Sequence, residues 1–269
     1  MAKKLVCFNQ RISQLEKSEK EAMYLLFCRY YSNVTLDQFY KDLNKKDYVF
    51  LLRDKETLDV KGFSTIAELN VEYNNRNIRG YFSGDTVIDK EYWGQGTLGV
   101  NFLKFLFLQK LKKPFSPLYW FLISKGYKTY LLMANNFKEH YPRYEQKTPN
   151  DKKWIMDSFG KELYGKFYDH NKGIITYSKH EANIKDCLKS DITPITKEML
   201  LANDRIKFFA EQNPDWQSGD ELACIAKMTF SMPFYYQYKV IKKILNKRKK
   251  LKVDEKTPLN SPVRVQEIK

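Results

Sequence analysis

The chain has 269 residues, 43% of them hydrophobic, which is enough to bury a sizeable core and excludes a disordered polymer. A formal net charge of +15 favours an acidic partner: a nucleic acid, an anionic membrane surface or a phosphorylated cofactor. The four cysteines, Cys7, Cys28, Cys187 and Cys224, lie far apart with no CxxC pair, and none of the three histidines has metal-ligand spacing. Neither a zinc site nor a disulfide framework is signalled, and a reduced cytoplasmic protein without a metal is expected.

Between residues 12 and 31 apolar side chains recur at helical spacing (Leu15, Ala22, Met23, Leu26, Phe27, Tyr30), which predicts an amphipathic helix. Thr35 is a candidate N-cap for a second helix over 36–43. Strands are predicted over 48–53, 62–73 and 78–88, the last two joined by the turn residues Asn74, Asn75, Arg76 and Asn77, so this part reads as an antiparallel meander. Alternation puts Phe63, Thr65, Ala67, Leu69, Val71 and Tyr73 on one face and Ser64, Glu68, Asn70 and Glu72 on the other. A hairpin symmetric about its turn places Glu68 opposite Ser83 and diagonal to Asp85, a small polar cluster on one sheet face.

Residues 91–99 then read EYWGQGTLG, with glycines at 94, 96 and 99 on the seam between a strand and a long apolar helix over 98–112. Glycine lets a ligand approach the backbone, and a helix N-terminus offers unpaired N–H groups that favour an anion. The helix stops at Lys113-Pro114, a strand follows over 118–123 and a helix over 126–135. The longest apolar run, 100–108, is interrupted by Asn101 and Lys104 and falls short of a bilayer span.

Beyond Pro142 helical patterns recur at 152–167, at 196–213 and again from Ala223. The aromatic clusters WIMDSF, GKFY and MTFSMPFYY suit an ordinary core, and they would also serve to wall off an apolar cleft. Residues 239–252, from Lys239 to Lys252, carry eight lysines and arginines and no acidic residue, and Val240, Ile241, Ile244 and Leu245 can form an apolar stripe among them. Peripheral contact with an anionic membrane is one reading of that segment, and a solvated basic helix end is the other. The tail from 253 is polar, with two prolines, and is expected to be disordered. The expected division is a core over 1–142, a mainly helical extension over 143–252 that ends in a basic helix, and the tail over 253–269.

The order helix, helix, antiparallel strands, glycine-containing turn, helix, strand, helix resembles the GCN5-related N-acetyltransferases (GNAT superfamily) over roughly residues 4–137. The signature of that family is a strand ending in Val-x-Pro followed by Arg/Gln-x-x-Gly-x-Gly/Ala at the start of a helix. Here the corresponding run is IDKEYWGQGTL: Ile88 takes the valine position, Lys90 the proline, Trp93 the Arg/Gln, Gly96 the central glycine and Leu98 the final small residue. Lys90, Trp93 and Leu98 depart from the pattern, the last two within the phosphate-binding turn. The resemblance implies an α/β (α+β) fold with a mixed, largely antiparallel central sheet flanked by helices. It also implies that an acetyl-CoA, or another acyl-CoA, lays its pantetheine arm against Val87 and Ile88 and its pyrophosphate on Trp93, Gly94, Gln95, Gly96, Thr97 and Leu98.

Acyl transfer to an amine needs a base for the amine and an acid for the departing thiolate. The carboxylates that pattern onto the polar strand face are Glu68 and Asp85. For the acid, the resemblance implies a tyrosine on the helix after the fifth strand, Tyr130 in first place and Tyr127 in second. His140 reads as a loop residue. The acceptor is expected to be a small-molecule or peptide amine, and a nucleic acid is not expected. Two alternatives stay open: a longer acyl donor on CoA or acyl carrier protein, and a catalytically silent module of the same fold that binds nucleic acid or an anionic membrane through its basic end.

Overall fold

The computed structural model describes residues 3–176 and 194–235, together with positions 187, 188, 237, 238, 241, 242 and 245. The chain divides into two compact units, Met1–Phe230 and Ser231–Lys269. The basic segment read at 239–252 and the tail from 253 lie almost entirely outside the described residues.

The first half follows the expected order with one addition at its start. Strand β1 (Leu5–Arg11) precedes a single 3-10 turn, so helix α1 begins only at Lys17 and runs Lys17–Tyr30. Glu16 and Glu19 close a capping box at its head. A short β2 (Tyr31–Ser32) leads to α2 (Leu36–Leu43), where the Thr35 hydroxyl accepts from the Gln38 N–H at 3.3 Å, the cap expected there. β3 (Tyr48–Asp54), β4 (Val60–Tyr73) and β5 (Arg76–Ile88) form the meander. The β4–β5 turn is the pair Asn74-Asn75, at φ 49° and 58°, the left-handed conformation of a tight hairpin whose twist matches its strands.

That two-residue turn sets a register two residues from the symmetric reading, so Glu68 pairs with Tyr81 and Ser83 pairs with Ile66. A bulge then intervenes: three steps along β5, from Ser83 to Thr86, match two along β4, from Ile66 to Ser64. The polar cluster of Glu68, Ser83 and Asp85 is therefore not formed. Glu68 instead accepts a long 3.5 Å hydrogen bond from the Tyr81 hydroxyl, on the side of the sheet where Tyr81 meets Phe105.

Helix α3 (Thr97–Lys112) crosses over to β6 (Leu118–Ser124), which pairs parallel with β5. Arg79, a buried residue of β5, ties down the C-terminal end of α3. Its guanidinium donates to the Gln109 and Lys113 carbonyls at 3.1 and 3.2 Å, a cation on the negative end of the helix dipole. Then come α4 (Tyr127–Asn136), β7 (His140–Tyr141), α5 (Asn150–Tyr164), β8 (Tyr168–Asp169), β9 (Ile174–Ile175) and β10 (Cys187–Leu188), which pairs with β2. The helical pattern at 196–213 resolves into α6 (Lys197–Ala202) and α7 (Asp204–Gln212), split at Asn203, whose side chain caps the second.

The segment from Ala223 is not a helix. β11 (Glu221–Lys227) is a strand between β6 and β9, antiparallel to both. The main sheet runs β1-β3-β4-β5-β6-β11-β9-β8, with β7 also on β11. It is mixed, largely antiparallel and flanked by helices. Residues beyond 142 thus supply central strands and not only a helical addition to a core ending there. One apolar cluster packs α1 and α2 on the sheet (Met23, Phe27, Phe39, Leu51, Phe63), and another packs α5 on it (Phe82, Phe121, Ile155, Phe159, Ile225).

Candidate active site

The site follows from how β5 ends. Residues 79–83 pair with 118–122 of β6, but β5 continues to Ile88 with no strand partner on that side among the described residues, while β6 stays paired with β11 up to Ser124. The bulge at Gly84-Asp85 lies where the strands part. Its tightness calls for glycine: a Cβ on Gly84 would lie 2.7 Å from the Thr65 hydroxyl and from the Lys46 side chain.

Beyond the bulge the free edge has a definite polarity. The Asp89 N–H donates to the Lys61 carbonyl at 2.8 Å, so the Ile88 carbonyl, on the opposite side of the same peptide, points into the gap. Alternation turns the polar groups of Val87 toward β4, and its side chain is buried on the α1 side. Of the two residues implied for a pantetheine arm, only Ile88 faces it. Its carbonyl already accepts from the Trp93 indole N–H at 2.7 Å. The indole ring lies under the Lys128 ammonium of α4, 5.1 Å from the ring centre, and beside Tyr30 of α1, so it bridges the mouth of the gap.

The glycine turn has the conformation an anion site needs. Gly94 and Gly96 lie at φ 81° and 74°, and Gly96 is the N-cap of α3, with no side-chain cap on the first N–H groups. A Cβ at Gly94, Gly96 or Gly99 would meet nothing within 4 Å, so the space before the helix is open. The Gln95 side chain points elsewhere: it accepts from the Leu5 N–H and donates to the Lys3 carbonyl, both at 3.0 Å, fastening the turn to β1. Leu98 packs against the cluster of Leu5, Leu52 and Tyr92, which explains how a large side chain fits where the family pattern has a small one. Thr97 begins the helix, and its carbonyl accepts from the Asn101 side chain.

On the α2 and α5 side of the parted strands lies a cavity of about 520 Å³. Asp85 lines it, and so do Asp42 and Lys46 from the α2 end, Lys125 and Thr129 from the β6–α4 end, Tyr164 and Glu221. The Glu221 carboxylate, 3% exposed, pairs with the Lys125 ammonium at 3.3 Å. Sequence reading passed over Glu221 because β11 was taken for part of a helix. A buried acid opening a short apolar run was the signal available.

The candidate catalytic residues divide. Asp85 is on the cavity wall, whereas Glu68 is exposed on another part of the sheet and does not line it. Tyr130 is buried at 1% exposure among Phe208 and Phe209, and its hydroxyl donates to the Pro142 carbonyl at 3.2 Å. Burial pushes its ionisation well above the ordinary tyrosine range, and the hydroxyl is turned into the core. Tyr127 is the half-buried first residue of α4, next to Lys128 at the mouth. His140 is a buried strand residue of β7 and not a loop residue: Nδ1 donates to the Phe137 carbonyl at 2.9 Å, Nε2 has no partner among the described residues, and burial lowers its pKa to about 4. Among the described residues no group of three or more His, Cys, Asp or Glu side chains is placed to hold a metal, and no helix is long and apolar enough to cross a membrane.

No protein-family model and no curated protein matches the chain. Solved structures do. A conserved protein from Enterococcus faecalis V583, described as a probable N-acyltransferase, is 16% identical over 46% of this chain and 31% of its own, with a TM-score of 0.36. A GNAT family N-acetyltransferase from Escherichia coli, solved in complex with CoA, is 12% identical over 45% of this chain and 64% of its own, at 0.32. A GCN5-related N-acetyltransferase from Kribbella flavida is 13% identical over 52% of this chain and 34% of its own, at 0.36. The chain thus spans about a third of the first and third of these proteins and under two thirds of the second.

Proposed function

We propose that the protein is an acyl-CoA-dependent acyltransferase acting on an amine. The observation that carries this reading is the parting of β5 from β6 at a bulge, directly beside a helix N-terminus with two left-handed glycines and above a charged cavity. An extended amide-bearing arm can add to the free strand edge at Thr86 and Ile88, and its pyrophosphate can take the open N–H groups at the head of α3. The thioester then comes to lie at the bulge, with the acceptor in the cavity.

There an acceptor ammonium is drawn to Asp42, Asp85 and Glu221. Asp85 takes its proton, the amine nitrogen attacks the thioester carbonyl, and the new C–N bond replaces the C–S bond. The thiolate leaves with a proton from Tyr127 at the head of α4, and the second proton shed by the attacking nitrogen restores the Tyr127 hydroxyl. Tyr130, whose hydroxyl is engaged with Pro142, has a packing role.

Isothermal titration with acetyl-CoA tests the donor site. Saturable binding is expected, and Gly96→Asp should weaken it by about tenfold or more, because a carboxylate would stand where the pyrophosphate lies. Absence of binding at millimolar ligand, or undiminished affinity in folded Gly96→Asp, refutes the reading. The same titration with longer acyl-CoAs fixes the chain length.

A further inference from the structure

Helix α3 is apolar on its outward side as well as on its inward side, where Phe102, Phe105 and Leu106 are buried. Two of its polar residues point inward: Gln109 is buried, and the buried Lys110 ammonium donates to the Pro114 and Ser116 carbonyls at 2.7 and 2.9 Å. Its outward ridge is apolar. Val100, Leu108 and Leu111 are about half exposed, and Phe115, in the turn after the helix, is 98% exposed. At 1.5 Å per residue the helical part of this ridge, from Val100 to Leu111, is about 17 Å long. An exposed apolar strip of this kind marks a contact surface.

The charge pattern around the ridge says what contact it suits. Lys104 lies on it and Lys112 and Lys113 at its end, all exposed, and between Glu91 and Glu139 the chain has no acidic residue. We infer that the outward face of α3, with Phe115, docks in the plane of an anionic lipid surface. The leucines and the phenyl ring enter the acyl boundary while the lysines reach up to the headgroups along their aliphatic stems. A second copy of the chain is a poorer occupant, since a two-fold contact would bring the lysines of two α3 helices together with no carboxylate from either. A nucleic acid would leave the apolar strip against phosphates. The inference stands on this face alone and does not depend on the acyl-transfer reading.

Flotation of the full-length protein with vesicles is the test. Binding is expected to phosphatidylcholine vesicles containing phosphatidylserine and to weaken sharply on phosphatidylcholine alone or at high salt. The double variant Leu111→Gln/Phe115→Gln should lower the bound-to-free ratio by about tenfold or more, and Lys104→Gln/Lys112→Gln should lower it roughly tenfold at low salt and little at high salt. Circular dichroism confirms that each variant is folded. A separate readout is Phe115→Trp, whose added fluorescence should shift to the blue on anionic vesicles and be quenched by brominated lipid. The inference is overturned if wild type does not float, if Leu111→Gln/Phe115→Gln floats as well as wild type, or if the emission added by Phe115→Trp stays that of an indole in water. It is equally overturned if light scattering shows a dimer that Leu111→Gln/Phe115→Gln dissociates.

Discussion

The two halves of β5 are held in different ways. Residues 79–83 have a strand on each side and aromatic side chains on both faces, Tyr81 against Phe105 and Phe82 against Phe121. Among the described residues, 84–88 have a strand on the β4 side alone, and the Trp93 indole donates to the Ile88 carbonyl on their other edge. In the first half, shape is fixed by side-chain packing. In the second it is fixed by backbone conformation, at the bulge and at the glycines that follow, which leaves polar backbone groups for a ligand. Substitutions in the two halves should therefore fail in different assays.

The largest effect is expected at the parted half. Asp85→Asn should lower the turnover number by about two to four powers of ten, the usual range for losing a positioned base, with the melting temperature nearly unchanged. A variant that turns over at the wild-type rate would remove Asp85 from the chemistry.

On the buttressed side, beyond β6, His140 should make stability depend on pH. Its folded pKa of about 4 lies below the ordinary histidine value of 6.5, so the unfolded chain takes up a proton first and stability is lost as pH falls from about 6.5 toward 4. The full loss is at most about 3 kcal/mol, and it is absent above that window. Denaturant unfolding of wild type and His140→Gln across this range checks it: the difference between the two profiles should change with pH, and parallel profiles would contradict it.

Within the paired half of β5, Gly80→Ala should destabilise by about 1–3 kcal/mol without touching acyl-CoA affinity, because the new methyl would lie 2.6 Å from the buried Phe159 ring. Thermal melts and the titration together separate these effects. The smallest change is expected for Tyr130→Phe: about 1 kcal/mol of stability from the lost bond to Pro142, and an unaltered turnover number. A large drop in turnover there would return the acid role to Tyr130.

Much of the frame was legible in the sequence because local chemistry decides it. Thr35 caps the second helix, Asn74-Asn75 turns the hairpin, and the spacing of Gly94 and Gly96 marks the head of α3. What escaped reading depends on contacts distant in sequence. ELACIAK is a short apolar run that periodicity assigns equally to helix or strand, and only its pairing with β6 makes it β11. LVCFNQR became β1 by pairing with β3. The length of the turn, which sets the partner of Glu68, was misjudged by reading the hairpin as symmetric about four turn residues, and the bulge was invisible because alternation reads straight through Gly84-Asp85. Tyr130 was placed on the right helix, but which way its ring turns is decided by α7, some 70 residues further on.

The Trp93 indole on the Ile88 carbonyl makes affinity at this edge a competition between an internal and an external donor. On the acyl-CoA reading, an arriving amide that displaces the indole from the carbonyl releases a 2.7 Å hydrogen bond, so the exchange conserves the number of hydrogen bonds at that atom and little net free energy comes from it. The apparent dissociation constant is then the intrinsic one divided by the fraction of molecules whose indole has already swung away. A tryptophan in this place also makes the exchange observable, since its emission would follow occupancy of the edge without any added label.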